Sequence, residues 1–86
     1  MNIQITNLST NIIEVDLSKL FSAYGKVSYV AIERDRISGR SKGMAYLEMP
    51  VQAQGEQAIL ALNNMEIDGL GISVREVEYK AGEFNN

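Results

Sequence analysis

The chain contains no cysteine and no histidine. Without thiols it can form no disulfide and offer no thiolate nucleophile. Without imidazole it has no side chain that titrates near neutrality as a general base, and the commonest transition-metal ligands are missing as well. An enzyme is therefore not expected, and neither is a cofactor or a bound metal. A chain free of cysteine suits a reducing cytosol. No stretch approaches the roughly 18 consecutive apolar residues that cross a bilayer. The strand pattern begins at Asn2, which leaves no room for a signal peptide, so a cytoplasmic location away from the membrane is expected.

What remains is an ordinary globular composition, 45% hydrophobic and 22% charged over 86 residues. That is one domain's length, enough to bury about 60–65% of the unfolded surface. No internal repeat or low-complexity segment appears. The net charge of −3 hides an uneven split, because Arg34, Arg36, Arg40 and Lys42 face only Asp35 in nine residues, a local +3, while the rest carries −6. Such a balance predicts a local, salt-sensitive contact with phosphate rather than a basic domain.

Periodicity sets the elements. Ile3 and Ile5 alternate with polar residues over Asn2 to Thr6, a first strand with Gln4 outward. Leu17, Leu20, Phe21 and Tyr24 recur at helical spacing, predicting a helix over 13–24 that Gly25 closes. Ile13 falls at its N-cap and has no oxygen to accept a free N–H, a lack that Glu14 and Asp16 offset in part. Val27 to Arg34 reads as a strand with a slip at Ser28-Tyr29, which predicts a bulge there and turns Ala31 and Glu33 outward. After Pro50, a second helix is expected over 51–62, poorly capped and carrying Gly55 inside it. Ile67 and Leu70 are expected plugs, and a last strand over 72–77 turns Arg75 outward. Residues 81–86 lack periodicity and read as a frayed tail.

The most informative stretch is Lys42-Gly43-Met44-Ala45-Tyr46-Leu47-Glu48-Met49, led in by Asp35 to Ser41 with Gly39 in the loop. Alternation sends Ala45, Leu47 and Met49 to a core and Lys42, Met44, Tyr46 and Glu48 to an open face. This stretch resembles the longer ribonucleoprotein signature of the RNA recognition motif (RRM) family, with Met44 and Met49 replacing two aromatics. Ile3-Gln4-Ile5-Thr6-Asn7-Leu8 resembles the shorter signature, with Gln4 in the aromatic's place. The likeness covers about residues 1–80, the expected domain, and is nearest to short bacterial proteins made of a single such domain.

The resemblance implies an α+β, ferredoxin-like βαββαβ fold, in which a four-stranded antiparallel sheet carries two helices on one face. It also implies single-stranded RNA binding on the open face through Gln4, Arg34, Arg36, Arg40, Lys42, Met44, Tyr46 and Arg75. Three face aromatics stack bases in the family, and of those places only Tyr46 keeps a ring. Since each stack contributes about 1–3 kcal/mol, weak binding is expected. The competing reading is a protein-interaction or self-associating module that has lost nucleic-acid binding, with Met44, Tyr46 and Ala31 as an apolar patch. No small-molecule substrate is expected.

Overall fold

The computed structural model describes residues 1–78, so the tail expected over 81–86 lies outside the described residues. The strands are β1 (Asn2–Thr6), β2 (Tyr29–Arg34), β3 (Ser41–Glu48), β4 (Glu66–Ile67), β5 (Leu70–Gly71) and β6 (Ser73–Val77). The helices are α1 (Glu14–Ser22) and α2 (Gln52–Leu62). β2, β3, β1 and β6 form one antiparallel sheet in that order, with the two signature strands at its centre. This is the expected βαββαβ arrangement, with β4 and β5 added as a small separate hairpin.

Strand alternation builds the core. Ile3, Ile5, Ala45, Leu47, Ile72 and Val74 leave one side of the sheet and are buried with Leu17 and Phe21 of α1 and Ala58 and Leu62 of α2. Burying a side chain the size of Leu47 contributes about 1.5–3 kcal/mol, so this layer carries most of the stability. Gly55 stands inside α2 because a side chain there would run into the Met1 thioether, which explains its cost in helix propensity.

Three expectations need correction. The irregularity in β2 does not fall at Ser28-Tyr29, since Tyr29 to Ile32 pair without interruption against Glu48 to Ala45. It falls after Ile32, where Arg34 meets Ser41, so β3 carries the extra residues and Gly43 sits among them at φ 76°. A left-handed backbone is cheap only at glycine, and Ser28-Tyr29 offers none. A Cβ on Gly43 would also stand 3.0 Å from the Leu8 carbonyl. Second, Leu70 is no plug. It is 39% exposed in the hairpin, whose turn places Asp68 and Gly69 at φ 56° and 83°, whereas Ile67 does pack on the core. Third, α1 ends at Ser22 rather than Tyr24, because Tyr24 N–H donates to the Phe21 carbonyl and tightens the last turn.

The N-cap of α1 is half made. Ile13 offers no side-chain acceptor, but its own N–H donates to Asp16 Oδ2 at 3.0 Å, so the acid in the first turn performs the reciprocal half of a capping box. Val51 caps α2 without any side-chain bond.

Candidate nucleic-acid interface

The side of the sheet away from the helices is set by the pairing register. Ala31, Tyr46, Gln4 and Arg75 stand directly opposite one another across all four strands and make one central row. Tyr29, Glu48, Asn2 and Val77 make the row on one side, and Met44, Thr6 and Ser73 the row on the other. The register therefore brings Gln4, Met44, Tyr46 and Arg75 together on one face, as the alternation required.

Their chemistry differs from an open platform with two rings missing. Gln4 is only 5% exposed and Tyr46 only 9%, and hydrogen bonds join the group. Arg75 Nε donates to Gln4 Oε1 at 2.9 Å, and Gln4 Nε2 donates to the Tyr46 hydroxyl at 3.2 Å and more distantly to Met44 Sδ at 3.7 Å. The Tyr46 hydroxyl in turn donates to Met44 Sδ at 3.4 Å. A buried amide left unpaired would cost about 1–3 kcal/mol, and here both ends of Gln4 are satisfied. Among the described residues no buried side-chain nitrogen or oxygen lacks a partner. The patch imagined for a protein-binding surface is thus a polar network at its centre.

The register also supplies a residue that sequence reading missed. Tyr29 shares the face with Ala31 and Tyr46 and is 45% exposed, so it presents ring area to solvent at the β2 edge. Its parity with Ala31 was the available signal, and the bulge expected at Ser28-Tyr29 hid it.

The basic segment divides. Arg34 follows Ile32 in parity, toward the helices, where its Nη2 bonds Glu14 Oε1 at 3.0 Å and its Nη1 reaches the Gly39 carbonyl at 3.4 Å. That placement takes Arg34 off the face. Glu14 is held below the usual carboxylate range chiefly by its own backbone N–H and, more weakly, by Arg34. Lys42 lies 3.9 Å from Glu33 at the exposed surface, an ion pair of little strength. Arg36 and Arg40 are exposed and have no ion-pair partner among the described residues.

The loop that carries them is ordered from within. Asp35 Oδ1 accepts the N–H groups of Ile37 and Ser38 at 2.9 and 2.8 Å, and its backbone closes the turn with Arg40 and Gly39. Those amides, Ser38 first, hold the Asp35 carboxyl below its ordinary range. Gly39 takes the positive φ, 77°, that its position in the loop required.

Two carboxylate placements matter for an anionic ligand. Glu76 pairs with Ile3 and so leaves the sheet on the helix side, away from the open face. Glu48 does stand on the open face, bonded by the Ser28 hydroxyl at 3.0 Å. On the helix side, a groove of about 410 Å³ has an apolar floor of Ile12, Leu17, Leu20 and Met65 and a rim of Asp16, Glu66 and Asp68. Such a rim repels nucleic acid, so charge singles out the open face and its loop.

Comparison with known proteins agrees with this fold. The family model described as RNA recognition motif matches residues 3–73. A putative RNA-binding protein RbpE from Nostoc is 38% identical over 76 residues, covering 88% of this chain and 77% of its own length. A glycine-rich RNA-binding protein 1 from Mycosarcoma maydis is 38% identical over 72 residues, and the matched part spans 84% of this chain but only 41% of that protein. A crystal structure of an RNA-binding protein PG1 superposes with a TM-score of 0.90 at 34% identity, covering 93% of this chain and 96% of that one.

Proposed function

The chain belongs to the RNA recognition motif family, and on that premise we propose that it binds single-stranded RNA across the open face of its four-stranded sheet. The observation that carries the proposal is the register, which lines up Tyr46 and Gln4 on the two central strands with Arg75 on the edge strand β6 and sets Tyr29 beside them. Tyr29 offers an exposed ring for base stacking, which tolerates any sequence because every base has a π-face, while the nearly buried Tyr46 holds Gln4 and Met44 in place beneath the same face. Arg36, Arg40 and Lys42 on the adjoining loop draw in the phosphate backbone, and the internally bonded Asp35 turn keeps that loop shaped. No base, nucleophile or metal cluster is needed for this work, which fits a binding module without histidine or cysteine. A cytoplasmic address accords with the missing cysteine; among the described residues no helix is long and apolar enough to cross a membrane.

NMR titration with a mixed pool of short single-stranded RNAs tests the proposal. Shifts are expected at Tyr29, Gln4, Met44, Tyr46, Arg75 and the loop from Arg36 to Lys42, with the helices unmoved. Shifts confined to α1 and the β4–β5 hairpin, or none at all, would overturn it in favour of a protein-interaction module.

A further inference from the structure

Gln4 occupies a place where the family puts a stacking ring, and the structure gives it a different task. Its carbonyl oxygen fixes Arg75 through Nε, while its amide nitrogen is fixed by the Tyr46 hydroxyl. Gln4 is nearly buried, so this amide has little freedom to turn away. Arg75 is exposed, and its Nη1 and Nη2 have no partner among the described residues. With Nε engaged, a guanidinium can still offer the two parallel N–H groups of its outer edge, a planar fork whose geometry is set before any ligand arrives.

We propose that the Gln4–Arg75 pair is a guanine-reading subsite, in which the outer fork of Arg75 donates to O6 and N7 of a guanine in bound single-stranded RNA. The inference rests on the RNA-binding reading above and deepens it to a base preference. Guanine is the one common base that places two acceptors side by side on this edge; adenine puts an N6 donor beside N7, which opposes a second N–H. A backbone phosphate would also accept the fork. Position argues for the base: β6 is at the opposite edge of the sheet from β2, whose loop holds Arg36 and Arg40, and Arg75 stands in the same row as Tyr46. The phosphate-drawing charge is on one edge and Arg75 is beside the place where a base would lie.

The test compares the full chain's affinity for pentamers UUGUU and UUAUU, and for versions of the first carrying inosine or 7-deazaguanine at the centre. Guanine and inosine share O6 and N7, so both should bind about tenfold or more tighter than adenine, while 7-deazaguanine, lacking N7, should lose most of that advantage. Arg75→Lys keeps the charge and removes the fork, and should bring the guanine-to-adenine ratio below about twofold. Gln4→Leu removes the clamp while leaving Arg75, and should lower the ratio without abolishing binding to UUAUU. Circular dichroism checks that each variant is folded. An equal loss on both pentamers in Arg75→Lys would assign Arg75 to phosphate and overturn the inference, as would 7-deazaguanine binding like guanine. Failure of the unaltered protein to bind any pentamer would overturn the RNA reading itself, an outcome distinct from binding without preference.

Discussion

On the helix side of β1 and β3, Ile3, Ile5, Ala45 and Leu47 are closed in by Leu17, Phe21, Ala58 and Leu62. On the other side of the same strands, Gln4, Met44 and Tyr46 are tied to one another and to Arg75 by directional bonds. Apolar burial on the first side is large and tolerant of direction, whereas each hydrogen bond on the second contributes about 0.5–1.5 kcal/mol net and depends on geometry. One side therefore holds the fold, and the other holds side chains in place for a ligand. Substitutions on the two sides should separate stability from recognition.

The largest break is expected on the inner side. Leu47→Ala leaves a cavity between the central strand and the helices and should cost about 2–5 kcal/mol in a urea melt. At the outer edge, Arg36→Ala with Arg40→Ala should leave the melt within about 0.5 kcal/mol, since both are exposed and have no ion-pair partner among the described residues. Removing two phosphate contacts from a single-strand binder should flatten the log–log salt dependence of affinity by about 1.4. An unchanged slope would remove the loop from the interface.

Acid sharpens the contrast between loop and core. Asp35 is held below its ordinary range by the Ser38 and Ile37 amides. A depressed carboxyl stabilises the folded chain above its unfolded value, near pH 4, and that contribution is lost as pH falls through the lower folded value. Asp68, lowered by the Ser9 hydroxyl and then the Asn11 amide, and Glu14 act in the same sense. The urea midpoint should therefore drop on acidification below about pH 4, and Asp35→Ala should shrink the drop. The smallest effect is expected at the cap. Ile13, 49% exposed with no core to leave, should gain a few tenths to about 1 kcal/mol on Ile13→Ser. Destabilisation in that melt would mean Ile13 is packed, as it would be against a second subunit.

The inner side was legible in the sequence because burial writes itself as periodicity: Ile3 with Ile5 and Ala45 with Leu47 announce their strands at sight. The order of elements followed from the same patterns, and the two degraded signatures marked the strands that carry the open face. The outer side was legible in its membership but not in its bonding. Gln4 and Arg75 are 71 positions apart, and no period links them. Arg34 counted as a face residue by its company of charges, although its parity with Ile32 sends it to Glu14. Tyr29 was lost because the irregularity was assigned to the start of β2, whereas the extra residues sit in β3, where Gly43 hosts them cheaply.

RNA is expected to lie on the open face of the sheet and its adjoining loop and on no other surface. Tyr29→Ala combined with Arg75→Ala removes an exposed ring and an exposed fork from that face while touching no residue of the core. Filter binding to UUGUU alongside a urea melt is the measurement. At least a tenfold loss of affinity is expected, about the contribution of one stacked base, in a chain that stays folded and loses no more than the roughly 1–3 kcal/mol that leaving the buried Gln4 carbonyl oxygen unpaired would cost. A folded double variant that binds as tightly as the unaltered protein would contradict that placement of RNA.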